Sequence, residues 1–444
     1  MASIKHRFAT ALLLFASALS AAGAERLQVA PDGRTLQTVS GTPFTWIGDT
    51  AWNLFVQLDL EESERYLQDR RDKRFTVIQA NIASLHADAL NHSGQPAFHE
   101  QDYDRPNEAY FRHIDQVLAR AEELDIYVLL LPAWARTHIE RDPTLTSPEK
   151  ARRYGEFLGR RYRERNNIIW CLGGDARPTK HTIYDALAKG IEAGLGYDPL
   201  MTYHPPGGTY RPPATSTGEF YHDKPWLDFN MMQSGHSRGN RNYLRVEEDY
   251  ARTPVKPTID SEPCYEQHPI RHKFENGVFN SWDVRQRAYW SVLAGAFGFS
   301  YGGNGIWQMD KPGDVLKETH FSHFWYDALD HEGAQQLRHL HWFLETYPRR
   351  VPDQSLLLSD SGDRNDRLQA ARTPDSRTIL VYSTNGRAFR VRLPAEQGTA
   401  EWFNPRDGSR TDAEWKTDQN PPGPEGDSRD WLLILTASPS GKSP

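Results

Sequence analysis

The sequence predicts an α/β fold, a (β/α)8 TIM-type barrel followed by a small antiparallel β domain. Two observations predict the barrel. About eight short apolar runs alternate with helix-like stretches between Phe44 and Tyr347, and each run is followed by polar or aromatic residues. A third observation predicts the second domain: after Pro348-Arg349-Arg350 the helical period stops, and short alternating runs with turn signals take over. An open doubly wound sheet fits less well, because no Gly-rich dinucleotide turn follows the first run. No internal repeat of fixed period is present.

The first strand is Phe44-Thr45-Trp46-Ile47, which ends in Gly48-Asp49-Thr50, and a charged amphipathic stretch from Leu60 to Arg74 follows. Thr76 to Gln79 is the second strand, with a long polar loop through Pro106 and a helix over Glu108 to Leu124 behind it. Ile126 to Leu131 is apolar throughout, as in a parallel strand buried on both faces. Ser147 as N-cap and Pro148 in the first turn open a helix that runs to about Arg165 and delivers Ile168 to Leu172. The remaining barrel strands are Leu200 to Tyr203, Phe229 to Gln233, Lys256 to Asp260 and Phe297 to Tyr301. In the C-terminal part Thr378 to Ser383 and Phe389 to Leu393 alternate, Asn385-Gly386 and Asp407-Gly408 signal turns, and Trp431 to Leu435 is a last strand. The expected division is a signal peptide over 1–24, a catalytic barrel over 25–350, a β-sandwich-like domain over 351–438 and a disordered tail over 439–444.

The 13 Trp and 19 Tyr exceed what packing alone asks for, and aromatic rings stack on the apolar faces of sugars, so composition leans toward carbohydrate. A formal net charge of −7 argues against a nucleic-acid groove. It leaves room for an acidic sugar at a local cation, for which Arg177, Arg238 and Arg241 are candidates beside their ordinary reading as surface charge. Lys5, His6 and Arg7 precede the apolar run Phe8 to Leu19 and the small residues Ala22-Gly23-Ala24, the pattern of a secretory signal cleaved before Glu25. No later segment carries roughly 20 uninterrupted apolar residues. The expectation is therefore a periplasmic or secreted protein with no membrane span after cleavage. Cys171 and Cys264 permit one disulfide, but buried unpaired thiols are the expected state. Oligomeric state is not legible in the sequence.

Functional groups of a parallel barrel stand at the C-terminal ends of its strands. Those ends offer Asp49 and Trp52, Gln79 and Asn81, Trp134, Gly173-Gly174-Asp175 and Tyr203-His204. The later strands offer Gln233 with His236, Asp260-Ser261-Glu262, and Tyr301-Gly302-Gly303-Asn304 with Trp307. Together they describe a polar cup with aromatic walls.

Glycoside cleavage needs one carboxylic acid to protonate the leaving oxygen and one carboxylate to attack the anomeric carbon or activate water. Asp175, behind two glycines that allow close backbone approach, suits the acid, and Glu262, between Ser261 and Pro263, suits the nucleophile. A structural ion pair or a helix cap is the alternative for each. Asp49 reads as a ligand for sugar hydroxyls, and Trp52, Gln79, Trp134, His204, Gln233, His236, Tyr301 and Trp307 as groups that bind and orient an oligosaccharide or polysaccharide. No metal or organic cofactor is expected. His204 and His236 match no zinc spacing, and no H-E-x-x-H is present. There is no G-x-S-x-G elbow, and Gly302 to Gly305 lacks the Lys-Ser/Thr of a phosphate loop. Two rivals stay open: a non-catalytic carbohydrate- or matrix-binding protein, and a metallohydrolase built on the histidines with Asp49 or Asp175.

Several motifs resemble the apiosidase-like glycoside hydrolases, family 140. They are Gly48-Asp49-Thr50-Ala51-Trp52, Gly173-Gly174-Asp175, Glu262-Pro263-Cys264-Tyr265-Glu266, the helix from Arg287 through Ala296, and Tyr301-Gly302-Gly303-Asn304-Gly305-Ile306-Trp307. The resemblance covers roughly residues 30 to 350. The segment with Trp402-Phe403-Asn404-Pro405-Arg406 is similar to the β domain that often follows this barrel, a module with a collagen-binding label. The resemblance implies a (β/α)8 catalytic domain with Asp175 as acid/base and Glu262 as nucleophile. It also implies action on apiose-linked side chains of the plant pectin rhamnogalacturonan II. A retaining mechanism predicts the two carboxyls about 5–5.5 Å apart.

Overall fold

The computed structural model describes residues 24–439, apart from 84, 87–88, 142, 208–214 and 314–321. The expected signal peptide, except for Ala24, and the tail from Ser440 lie outside the described residues.

A short hairpin, β1 (Leu27–Val29) and β2 (Leu36–Thr38), precedes the barrel. The chain then runs through β3 (Ile47–Thr50), α1 (Leu54–Gln57), α2 (Leu60–Asp72), β4 (Val77–Asn81), α3 (Glu108–Glu123) and β5 (Tyr127–Leu131). Next come α4 (Pro148–Tyr162), β6 (Ile168–Cys171), α5 (His181–Leu195), β7 (Met201–Thr202), β8 (Thr215–Ser216) and α6 (Gly218–Tyr221). The last turn of the barrel comprises β9 (Asn230–Gln233), α7 (Asn242–Tyr250), β10 (Thr258–Asp260), α8 (Ser281–Leu293), β11 (Phe299–Tyr301), α9 (Trp325–Ala328) and α10 (Glu332–Thr346).

The sheet order is β7-β6-β5-β4-β3-β11-β10-β9-β8, parallel throughout except for the short antiparallel β8. The seam between β7 and β9 is closed by single bonds rather than a ladder: Asp228 N donates to Met201 O at 2.9 Å and Thr202 Oγ1 to Phe229 O at 2.8 Å. All eight expected barrel strands are present, the first displaced to Ile47–Thr50.

Strand alternation divides the core into two layers. Trp46, Val77, Leu129, Leu131, Ile169, Cys171, Met231 and Ile259 fill the barrel interior, which Leu27 and Leu36 of the hairpin cover where the strands begin. Ile47, Ile78, Val128, Leu130, Trp170, Met232 and Phe299 face the helices. Both cysteines are buried and unpaired, as expected. Ser147 caps α4 by accepting from Lys150 N, with Pro148 as its first residue. Among the described residues no helix is long and apolar enough to cross a membrane.

The second domain is one antiparallel sheet in the order β12 (Val351–Pro352), β13 (Leu368–Arg372), β14 (Thr378–Ser383), β19 (Trp431–Ala437), β16 (Gly398–Phe403), β17 (Arg410–Asp412). Its second layer is only a two-stranded ribbon, β15 (Phe389–Arg390) with β18 (Asp418–Gln419). One face, with Leu380, Tyr382, Phe403, Leu432 and Ile434, shares a hydrophobic cluster with α8 and α10 of the barrel. The opposite face packs Ile379, Val381, Trp402, Leu433 and Leu435 against Phe389 and Val391.

Candidate active site

Glu262 lies just past the end of β10, fastened to β9 by its backbone: its N–H donates to Met232 O at 3.3 Å, and its carbonyl accepts from Gly235 N at 3.0 Å. Gln233 Nε2 donates to Oε1 at 2.7 Å. His204 Nε2 stands 2.9 Å from Oε2, and His236 Nε2 is 3.5 Å from Oε1. The His204 contact has ion-pair distance without hydrogen-bond alignment, and its ring nitrogens have no directed partner. Burial alone would raise the Glu262 pKa; His204 and His236 more than reverse this and bring it to about 2.

Asp175 follows β6 and the glycine pair. A Cβ on Gly173 would come within 2.8 Å of Ala135 Cβ, and one on Gly174 within 2.4 Å of the Trp134 ring. Glycine is needed there because the loop after β5 passes so close, tied by Arg136 N to Gly174 O at 3.1 Å. Asp175 itself has φ 52°, a strained left-handed conformation of the kind that gathers at functional sites. Its Oδ2 accepts from Arg136 Nη1 at 2.9 Å. Burial and then the Glu262 charge push its pKa above the usual carboxylate value, and Arg136 and His204 offset this only in part. The two carboxylates thus have opposed environments and feel one another's charge.

Aromatic rings wall this space. Trp52 meets His204 edge-on with centroids 5.2 Å apart, and Trp134 lies 5.2 Å from Trp52 and 6.1 Å from His204. Trp307, half-buried, packs against the same cluster. His236 stacks on His268 at 4.2 Å and meets Tyr265 at 4.7 Å. Gln79 is held beneath by bonds from Nε2 to Thr50 Oγ1 and Ser261 O, both 2.9 Å.

Several buried polar atoms here have no partner: Gln79 Oε1, both amide atoms of Asn81, His204 Nδ1, Gln233 Oε1, Tyr265 OH and Trp307 Nε1. Leaving such groups unpaired is costly, and a ligand rich in hydroxyls would satisfy donors and acceptors alike.

Two expected ligands are elsewhere. Asp49 is fully buried in a salt bridge with Arg70 and accepts from Tyr66 OH at 2.7 Å and Thr50 N at 2.8 Å. Tyr301 is also fully buried and donates to Glu266 Oε2 at 2.8 Å. Strand alternation is the reason: Trp46 and Thr50 share the inner face of β3, so Ile47 and Asp49 turn outward, as Phe299 and Tyr301 do on β11. Glu266 in turn accepts from Gly333 N at 2.9 Å, anchoring the Glu262 loop to the start of α10.

Sequence reasoning assigned no role to three residues of the cup. Asn81 shares the inner face of β4 with Gln79, a period-two signal. Tyr265, three residues after Glu262, lies close enough to feel its charge, and Gly302 makes room for its ring, since a Cβ there would come within 2.0 Å. Arg136 left no signal beyond its place after Trp134. Of the arginines considered for an acidic sugar, Arg238 is bound to Asp283 and Arg241 to Asp363, while exposed Arg177 lies over Phe220. Among the described residues no three His, Cys, Asp or Glu side chains gather as metal ligands.

A family model for an apiosidase-like catalytic domain matches residues 30–350, and one described as "Putative collagen-binding domain of a collagenase" matches 351–436. A solved structure described as a glycoside hydrolase is 32% identical, covers 93% of this chain and 97% of its own, and superposes with a TM-score of 0.85. A Bacteroides vulgatus structure described as a glycoside hydrolase family 5 is 32% identical, with 93% and 94% covered and a TM-score of 0.83. An endo-1,4-β-mannanase from Rhizomucor miehei, 13% identical with 72% and 100% covered at a TM-score of 0.51, shares the fold alone. No curated protein matches the chain.

Proposed function

The chain belongs to the apiosidase-like family of glycoside hydrolases, and on that premise we propose that it is an exported, configuration-retaining enzyme of family 140 type acting on pectic oligosaccharides, with apiose-linked side chains as its substrate. The observation that carries the mechanism is the opposed environment of two neighbouring carboxylates: Glu262 drawn down to about 2 and Asp175 pushed up. Two titratable groups driven apart in this way divide the nucleophile and acid roles between them.

Ionised Glu262 attacks the anomeric carbon while Asp175 passes its proton to the departing glycosidic oxygen, leaving a glycosyl ester on Glu262. Asp175, now a carboxylate, takes a proton from water as that water attacks the same carbon and frees Glu262. Gln233, His204 and His236 orient the nucleophile. The unpartnered atoms of Gln79, Asn81, Tyr265 and Trp307 suit the hydroxyls of one sugar, and Trp52 and Trp134 offer stacking faces. Retention asks for carboxyls about 5–5.5 Å apart. A pectic, acidic substrate is supported by the largely exposed Arg136 beside Asp175, and export by the Lys5 to Ala24 pattern.

The test is incubation of the mature protein, Asp175→Ala and Glu262→Ala with a panel of pectic oligosaccharides that includes apiose-bearing ones. Sugar release by the unaltered protein, lost in both variants and with the anomer retained by NMR, is the expected result. Release that persists in both variants overturns the assignment of roles. Binding without release, unchanged in the variants, would favour the non-catalytic reading.

A further inference from the structure

Helix α8 is buried on every side: all thirteen of its residues are buried. Such a helix has no solvent face and must be covered all round; α7 and α10 pack on it within the barrel, and two further partners complete the cover. One partner is the second domain. Arg285 forms two bonds to Asp430, 2.9 Å from Nε and 2.8 Å from Nη2, with both side chains buried. Trp282 Nε1 donates to Thr384 O at 3.0 Å and Trp290 Nε1 to Thr384 Oγ1 at 2.8 Å. Tyr289 stacks on Tyr382 at 5.0 Å, and Tyr382 OH donates to Asp430 at 3.0 Å.

The other partner is the loop between β9 and α7, which carries His236. Arg287, fully buried, donates from Nη1 to Asn240 O at 2.6 Å and from Nη2 to Ser237 O at 3.2 Å and Arg238 O at 3.0 Å. Asp283 of the same helix receives Arg238 at 2.9 and 2.8 Å. Asn242, where α7 begins, donates to Arg287 O, Ser291 Oγ and Asp260 Oδ2, all within 2.8–2.9 Å. The loop's own ties, Gly235 N to Glu262 O at 3.0 Å, Arg271 N to His236 O at 2.8 Å and Ser234 Oγ to Asp260 Oδ2 at 2.8 Å, hold its start, while α8 holds the turn that follows, so the placement of His236 over Glu262 depends on both.

From this we infer that the C-terminal β domain is a positioning element of the catalytic site, and that Arg287 is the positioning residue through which it holds His236 against Glu262. The domain fixes α8 through Asp430 and Thr384, and α8 fixes the loop through three backbone carbonyls. A single cation satisfying three carbonyls is a rigid tie, since each carbonyl left buried without it would be costly. The inference rests on Glu262 being the nucleophile, but its first readout does not.

The experiment uses the full chain labelled with 15N-histidine. Glu262→Gln identifies the His204 and His236 ring signals as those that respond to loss of the carboxylate. In Arg287→Gln the His236 signals are expected to move while those of His204 stay, with Arg287→Lys, which still reaches one carbonyl, in between. Asp430→Asn, remote from the loop, is expected to move the same His236 signals. On a pectic oligosaccharide that the unaltered protein cleaves, kcat should fall about tenfold or more with KM within about threefold, as for a displaced catalytic group. If Arg287→Gln does not fold, Arg287→Lys and Asp430→Asn carry the test. His236 signals identical to the unaltered protein in the folded variants overturn the proposal. A shift in the Arg287 variants with none in Asp430→Asn overturns the domain's part in it. Absence of cleavage by the unaltered protein would count against the glycosidase reading and leave the NMR result to decide this one.

Discussion

Arg136 Nη1 sits 2.9 Å from Asp175 Oδ2 while its own side chain remains 59% exposed. The guanidinium therefore pulls the Asp175 pKa down from a rim position without burying itself. In the proposed mechanism, loss of the Asp175 proton removes the general acid, so activity falls as pH rises through that pKa. Arg136→Gln should move this alkaline limb to higher pH, by less than about one unit because the pair is screened by solvent. A limb that stays put or moves down in a pH–rate profile would contradict the arrangement.

On the acid side the sign reverses. Glu262, held near 2 against an ordinary value of 4.5, contributes stability that is complete above its unfolded pKa and lost as pH falls from 4.5 toward 2. Urea titrations at several pH values should show Glu262→Gln losing that acid-side slope relative to the unaltered protein.

Asp49→Asn should affect stability and not substrate affinity. The substitution leaves buried Arg70 with the partly exposed Asp69 as its remaining carboxylate, a loss of about 1–3 kcal/mol in urea unfolding. A large rise in KM at unchanged stability would put Asp49 back in the cup.

Gly174→Ala tests the close approach behind the acid. Its methyl would meet the Trp134 ring at 2.4 Å, and the ring, packed against Trp52 and His204, must tilt. The expected outcome is an unchanged far-UV spectrum with kcat/KM reduced about tenfold or more. Unaltered kinetics would show that Trp134 takes no part in holding substrate.

A chain ended after Arg350 should lose its native tertiary structure. It would uncover Trp282, Tyr289 and Trp290, each worth about 2–3 kcal/mol when buried. Near-UV circular dichroism and solubility check this, and a cooperative, soluble barrel would show that α8 stands without its cover.

Much of the barrel was legible because its strands are buried on both faces, so Tyr127–Leu131 and Ile168–Cys171 read as continuous apolar runs that only a parallel sheet explains. Glu262 and Asp175 were legible by position, each at the end of such a run. Inward or outward direction was not. Asp49 and Gln79 both follow apolar strands, yet Gln79 pairs in register with Thr50 while Asp49 pairs with outward Ile78. A one-residue offset decides which of them turns to the barrel interior and which meets Arg70.

Local periodicity and strand-end chemistry, both properties of residues near one another in the chain, determined the barrel and the β domain and marked the two carboxylates as candidates. Tertiary structure alone decided that Glu262 is ringed by His204, Gln233 and His236, that Glu266 is an anchor, and that the β domain covers α8. Those outcomes depend on groups from separate strands and from another domain approaching within bonding distance, and a pKa answers to that approach, which sequence spacing does not encode.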